Sequence, residues 1–310
     1  MEFGLQTRGS FDYLRRAAHW AEAHGVVTLA LPDHYVAGRS ADGEGYDTSS
    51  SDIFPYLGAL ATQTETIELA TLVSPITYRH PAHLLKFGLA LDDITDGRFA
   101  LGFGTGWMSS EHRIFGFPLP GWKERFDRLE EALQYVTAAL AEGGQGFDGE
   151  YYSLAPGSQD PKPRHLRIIL GGSGPSRSPN LAGQFADEFN VYSLPAPDLR
   201  RRIELAHVAA EAAGRDPSRL MISSTGSPVI GSNHAEFRRR LQALADARVV
   251  DVKKLEKSFR DVAMPLGTHA EAAETFAETR AAGITRYYVQ ISGSMDFDYA
   301  AEVIEVLGNE

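Results

Sequence analysis

Eight short runs rich in Val, Ile, Leu and Phe recur along the chain, and longer stretches with helical periodicity separate them. This alternation is typical of a parallel sheet covered by helices, because each parallel strand needs a long crossover before the next one. The predicted strands are residues 2–6, 26–31, 68–73, 99–103, 167–170, 188–191, 220–224 and 286–291. The order of elements therefore constrains the fold more than any other feature of the sequence.

Helical patterns fill the spaces between these runs. They cover residues 12–24, 54–63, 81–94, 123–140, 198–213 and 270–282. Gly25 and Gly283 follow two of them, as glycine does at left-handed helix ends, and Pro81 occupies a favoured first-turn position. Eight strand and helix units in 310 residues predict one (β/α)8 TIM-barrel domain over residues 1–310. The surplus residues, 104–121 with 142–164 and 231–265, are expected to be insertions at the C-terminal face of the strands.

Composition excludes several classes of function. Lys and Arg number 30 against 41 Asp and Glu, a net charge of −11, and no basic stripe stands out, so we predict no nucleic-acid partner. No apolar stretch is long enough to span a membrane, and the N-terminus lacks a leader pattern. Because cysteine is absent, the chain has no disulfide, cysteine metal site or thiolate nucleophile. We therefore expect a soluble, cytoplasmic protein.

A polar motif, Asp33-His34-Tyr35, directly follows the second predicted strand. Residues at the C-terminal end of a barrel strand face the active site. A histidine there exchanges protons near neutral pH. The alternative is that Asp33 caps the following turn and His34 is an ordinary polar residue at the barrel mouth.

The segment after the third strand, residues 71–81, ends at a helix that begins with Pro81. Free N–H groups at such a helix start attract anions, and Arg79 and His80 lie beside them. His80 and His83 are spaced as a metal pair, but no third and fourth ligand follow at a recognisable spacing, so we predict no metal.

Two glycine-rich loops follow the fourth and fifth strands. Residues 102–107 depart from the dinucleotide-binding spacing, and their glycines permit close backbone approach to a flat ring or a phosphate. Residues 171–177 read Gly-Gly-Ser-Gly-Pro-Ser-Arg, which favours an anion nest with Arg177 nearby. The sequence is neither a Walker motif nor a nucleophile elbow, and a simple tight turn is the alternative.

Charged residues are dense from Glu111 to Arg113 and again in residues 126–131. Most of them are expected to lie on a solvated helix face. Arg125 and Arg128 have Glu residues one helical turn away, which favours ion pairs within the helix.

Taken together and in this order, these motifs resemble the bacterial luciferase-like family of flavin and deazaflavin oxidoreductases. The similarity extends along nearly the whole chain. Further matching pieces are Phe3-Gly4-Leu5, Leu91-Asp92 with Gly97-Arg98-Phe99, Glu111-His112 with Phe115-Gly116, Glu124-Arg125-Phe126, Phe147-Asp148-Gly149 and Gly267-Thr268. The chain is most similar to the branch that depends on coenzyme F420.

The resemblance implies specific roles for the motif residues. His34 is expected on the substrate side of the deazaflavin ring, with Asp33 orienting it. The resemblance places a bulge, often with a non-proline cis peptide, at the Thr71-Leu72 step. The residues expected to bind the cofactor are Thr71, Leu72, Gly104, Thr105, Gly106, Gly171, Gly172, Ser173, Gly174 and Arg177. Arg79 and Lys86, with Arg177, are candidates to contact the anionic tail of F420.

Two departures from the family pattern concern the substrate. In the sugar-phosphate dehydrogenases of this branch a catalytic Glu is expected where Trp107 stands, and a Trp where Gly38 stands. We therefore expect hydride transfer between F420 and a small, largely uncharged organic molecule, held between His34, Tyr35 and Trp107. The alternatives are an FMN-dependent monooxygenase and a flavin-binding or deazaflavin-binding protein without turnover. A homodimer is implied by the resemblance alone.

Overall fold

Eight parallel strands form a closed barrel in a computed structural model that describes residues 1–36, 50–291 and 297–309. Each strand pairs with the next one in the chain, and the last strand pairs with the first to close the ring. The strands are β1 Glu2–Gln6, β2 Thr28–Leu31, β3 Glu68–Thr71, β4 Phe99–Gly104, β5 Arg167–Gly171, β6 Glu188–Tyr192, β7 Met221–Gly226 and β8 Arg286–Gln290. The predicted (β/α)8 barrel is confirmed. Gly38, which bears on the predicted substrate, lies outside the described residues.

Helices lie around the barrel, and most of them bury an apolar face against it. They are α1 Phe11–Ala23, α2 Ile53–Ala61, α3 Pro81–Ile94, α4 Ser109–Phe115, α5 Trp122–Leu140, α6 Arg177–Phe185, α7 Ala196–Ala212, α8 His234–Arg248, α9 Val252–Asp261, α10 His269–Ala281 and α11 Phe297–Gly308. All six predicted helices are present, with ends that differ by at most two residues. None of the described helices has the length and apolarity needed to cross a bilayer.

The barrel interior is filled in layers. At the N-terminal end, Arg167 and Arg286 form ion pairs with Glu68 and Glu188, and all four residues begin strands. Above them an apolar layer contains Ala70 and Tyr288 among other buried residues. Because the charged layer closes one end of the barrel, a ligand has access only from the C-terminal end of the strands.

The insertion between β7 and α10 has a small core of its own. A parallel pair of short strands, Val229–Gly231 and Leu266–Thr268, supports α8 and α9. Phe237, Leu241 and Phe259 are buried between these elements. The segment leaves the barrel from the C-terminal end of β7, as predicted for residues 231–265.

The placement predicted for residues 142–164 is wrong. This segment forms an antiparallel hairpin, Phe147–Asp148 with Ser153–Leu154, and Glu131 of α5 accepts hydrogen bonds from the backbone of residues 150–152. Arg164 then binds Asp93 at the C-terminal end of α3. Because α5 returns the chain to the N-terminal side of the barrel, the segment that joins α5 to β5 begins and ends there, outside the barrel.

Candidate active site

His34 lies just beyond the C-terminal end of β2, at the open end of the barrel. Its Nδ1 atom is 2.9 Å from Oε2 of Glu111, which belongs to α4. The His34 side chain is 19% exposed, and its ring meets the Trp107 indole edge-on at 5.9 Å. No described residue forms a hydrogen bond with Nε2 of His34, so this nitrogen is available to a ligand.

Glu111 is completely buried and accepts hydrogen bonds from three further groups. These are the backbone amides of Tyr35 and Val36 and the hydroxyl of Tyr78. Burial alone raises the pKa of the Glu111 carboxyl, but the hydrogen bonds from His34 and the other donors outweigh burial and hold the pKa below its ordinary value. Glu111 is therefore a carboxylate at neutral pH.

Glu111 is an exception to the expectation that most charges of this segment lie on a solvated helix face. The periodicity of α4 could not reveal its buried face, since the helix has only seven residues. The informative signal was its position just after the glycine-rich exit from β4. That exit brings α4 back over the barrel mouth.

Asp33 does not have the role that the resemblance implied. Its buried carboxylate accepts hydrogen bonds from both terminal nitrogens of Arg79, and Glu111 takes the place next to the His34 ring. Burial raises the pKa of the Asp33 carboxyl, and the positive charge of Arg79 offsets part of this increase. Arg79 also binds Asp52 at 2.6 Å. The Arg79 side chain is thus held by two carboxylates and is not directed at a ligand.

The bulge after β3 lies one residue later than expected. Thr71 still pairs with Leu31 of β2, and its hydroxyl is hydrogen-bonded to the backbone of Gly102. The non-proline cis peptide joins Leu72 and Val73, not Thr71 and Leu72. The regular ladder of β3 therefore ends after Thr71.

Val73 packs over the glycines that end β4 and β5. A Cβ atom on Gly104 or Gly171 would lie 2.7 or 2.8 Å from a methyl group of Val73. Gly106 has a φ of 75°, and a Cβ there would lie 2.7 Å from the Thr77 hydroxyl. Glycine is thus needed at these positions because any larger side chain would clash with the protein itself. Thr105, between Gly104 and Gly106, is half-buried.

The loop after β5 presents backbone donors at the start of α6. The amide of Gly172 binds the carbonyl of Asn190, but no described residue accepts from the amides of Ser173, Gly174 and Ser176. No side chain caps α6 either. The side chain of Arg177 is turned away from this loop, because it pairs with Asp127 at 2.8 Å and with Glu130 at 3.1 Å on α5.

Arg125 is a buried cation without a carboxylate partner among the described residues. It is 5% exposed, stacks on the Trp122 ring at 3.7 Å and donates a hydrogen bond to the carbonyl of Gly106. Its Nε atom is buried and has no hydrogen-bond partner in the described chain. Burial lowers the pKa of Arg125. The ion pair predicted within α5 is confirmed for Arg128 with Glu124, but not for Arg125.

Aromatic rings form one side of the mouth. Tyr35 stacks on Tyr78 at 5.2 Å and contacts Phe115 and Phe117 at 5.6 and 5.9 Å. Its hydroxyl lies between Arg79 and Asp52, so the phenol is fixed in place. Trp107, in contrast, is 55% exposed.

Comparison with protein families gives a match over most of the chain. A family described as luciferase-like monooxygenase matches residues 2–287. An F420-dependent glucose-6-phosphate dehydrogenase from Nakamurella multipartita is 35% identical over 181 residues, which are 58% of this chain and about half (51%) of that enzyme. A protein of the same name from Segniliparus rotundus is 25% identical over 77% of this chain and 73% of its own length.

Solved structures share the fold at lower sequence identity. An F420-dependent secondary alcohol dehydrogenase, solved with an F420-acetone adduct, superposes with a TM-score of 0.81 at 19% identity, over 99% of this chain and 97% of that one. A monooxygenase from Streptomyces bottropensis superposes with a TM-score of 0.77 at 23% identity, over 100% and 98% of the two chains. Both similarities support the barrel fold.

Proposed function

Because the chain belongs to the luciferase-like monooxygenase family, we propose that it is an oxidoreductase that transfers a hydride between coenzyme F420 and a small, largely uncharged organic substrate. The names of its curated relatives support F420 as the cofactor. The observation that carries the proposal is the pair formed by His34 and Glu111, in which Nε2 of His34 has no hydrogen-bond partner among the described residues.

The donors at the mouth fit an anionic cofactor. The amides of Ser173, Gly174 and Ser176, which have no acceptor in the described part of the chain, lie at an uncapped helix start and are suited to a phosphate group. Arg125 adds a positive charge beside Gly106, and its Nε lacks an acceptor in the described chain. We assign the phosphate of the cofactor to the loop after β5, and we propose that Val73 supports one face of its ring. Arg79 and Arg177 are held by carboxylates, so we no longer assign the tail to them.

His34 is the residue that moves a proton in this proposal. Bound F420 supplies the hydride chemistry, so the protein has to orient the substrate, exclude water and provide one proton donor or acceptor. Neutral His34 accepts a proton at Nε2, and protonated His34 donates from the same atom. A protein that only carried the cofactor would not need this free nitrogen.

The indole of Trp107 and the ion pairs of Arg79 determine the kind of substrate we propose. The indole offers apolar area and a single N–H donor at a site where a sugar-phosphate enzyme is expected to have a Glu. A sugar phosphate would also need free cations, and the Arg79 charge is held by Asp33 and Asp52. A neutral alcohol, ketone or enone needs no cation, and its apolar part can pack against the indole.

A substrate panel tests this proposal. The purified protein is mixed with F420 and 2-propanol or glucose 6-phosphate, and with reduced F420 and acetone or an enone, while F420 absorbance is followed. We expect faster turnover with a neutral compound, and we expect Trp107→Ala to raise the KM for that compound because the apolar wall is lost. Turnover of glucose 6-phosphate above that of every neutral compound would contradict the proposed substrate class.

A further inference from the structure

The carboxylate of Glu111 is hydrogen-bonded on both of its oxygen atoms. Oε1 accepts from the amides of Tyr35 and Val36, and Oε2 accepts from Tyr78 and is 2.9 Å from Nδ1 of His34. Such full satisfaction is what a completely buried charge requires. We propose that Glu111 is a positioning residue that holds His34 in the Nδ1–H tautomer, so that the proton exchanged with the substrate passes through Nε2.

The tautomer follows from the chemistry of the acceptor. An ionised carboxylate has lone pairs and no hydrogen to donate, so the hydrogen between His34 and Glu111 must belong to Nδ1. In a neutral imidazole only one nitrogen carries hydrogen, and Nε2 is then the basic atom. The destination of the proton rests on the proposed function, whereas the tautomer does not.

His112, the next residue in α4, shows the contrasting arrangement. Its Nδ1 atom is 2.8 Å from the carbonyl of Met108, and its Nε2 atom is 2.7 Å from the hydroxyl of Thr77. Both ring nitrogens of His112 are therefore occupied by the protein. The two histidines differ in that Nε2 of His34 has no partner among the described residues.

Glu111→Gln tests the proposal without removing the support of the 34–36 turn. The Gln carbonyl still accepts from the backbone amides, while its NH₂ group faces Nδ1 of His34. We expect the neutral imidazole to change to the Nε2–H tautomer. Nitrogen-15 NMR of labelled protein at about pH 9, where histidine is ordinarily neutral, reports the tautomer, and the spectrum of His34→Ala assigns the signal.

Tyr78→Phe is the matched control, because it removes one hydrogen bond to Glu111 and keeps the carboxylate. We expect this variant to retain the Nδ1–H tautomer. An Nε2–H tautomer in the native protein, or an unchanged tautomer in Glu111→Gln, would overturn the proposal. This readout needs neither F420 nor substrate, so it decides the role of Glu111 even if the proposed function fails.

Turnover gives the second readout. With F420 and 2-propanol, or reduced F420 and acetone, we expect kcat of Glu111→Gln to fall by about 10²-fold, the usual scale for a lost general acid or base. F420 affinity, measured by fluorescence titration, should not change. A native kcat in Glu111→Gln with either pair would show that the carboxylate supports the turn and does not position the proton.

Discussion

Arg79 donates hydrogen bonds from both of its terminal nitrogens to Asp33, whose side chain is completely buried. Adjacent residues of one motif thus have different partners: Asp33 binds Arg79, whereas His34 binds Glu111. The first pair fixes the loop after β2 to the segment after β3. The second fixes the ring that we propose to be catalytic.

Arg79→Met should destabilise the fold, because it leaves the Asp33 carboxylate buried without its cation. We expect a loss of about 3–5 kcal/mol in the free energy of unfolding, the usual result of breaking a buried ion pair. Arg164→Met is the control, since Arg164 is 52% exposed and its ion pairs are solvated. Its effect should stay within about 1 kcal/mol in urea unfolding. Equal losses in both variants would contradict the assignment.

Gly171→Ala should place a methyl group against Val73, because a Cβ at Gly171 would lie 2.8 Å from a Val73 methyl. The expected cost in unfolding free energy is about 1–3 kcal/mol. The double variant with Val73→Ala should recover part of that loss, since the contact is removed.

Gly58→Ala is the control for that substitution, because a Cβ at this position of α2 would meet nothing within 4 Å. Here we expect stabilisation of about 0.5–1 kcal/mol from the higher helix propensity of alanine. Destabilisation by Gly58→Ala, or an additive double variant at Gly171 and Val73, would show that this packing account is wrong.

The charged layer in the barrel should make stability depend on acid pH. Burial raises the pKa of Glu68, but the charges of Arg167 and Arg286 outweigh burial, and the pKa lies below its ordinary value of 4.5. The stability contributed by Glu68 is therefore complete above pH 4.5 and is lost as the pH falls through the lowered pKa. In thermal unfolding, the melting temperature of Glu68→Gln should fall less steeply at acid pH than that of the native protein. An equally steep fall would contradict the assignment.

His34→Ala should leave the fold intact, since the ring lies at the mouth and is part of no apolar core cluster. With the neutral substrate found in the panel, kcat should fall by about 10²-fold, while F420 affinity is retained. Thermal unfolding and fluorescence titration separate these effects. Unchanged kcat would make His34 a structural residue.

Much of the barrel was predictable because each strand and most helices have their own local pattern. One strand, β1, and one helix, α3, have the predicted bounds, and Pro81 marks the start of α3. The failures involve contacts between distant segments. The hairpin in residues 142–164 has a polar sequence that resembles a mouth loop, and only the direction of α5 shows that it lies outside the barrel.

The candidate site was predicted only in part for the same reason. His34 was found from its place after a strand, but Glu111 is 77 residues further along and has no local signal of burial. Glycines at 104 and 171 were interpreted as room for a ligand, whereas the structure places Val73 against them. The use of each charge, such as Arg79, depends on partners that one sequence does not identify.

Comparative binding of F420 and FMN tests the central claim most directly. Fluorescence titration of the purified protein with each cofactor gives two dissociation constants, measured at low and high salt. We predict tighter binding of F420, weakened by salt because its phosphodiester and glutamyl tail add charge, and no faster consumption of oxygen by reduced FMN than in a control without the protein. Tighter binding of FMN, or an oxygen reaction supported by FMN, would contradict the proposed function.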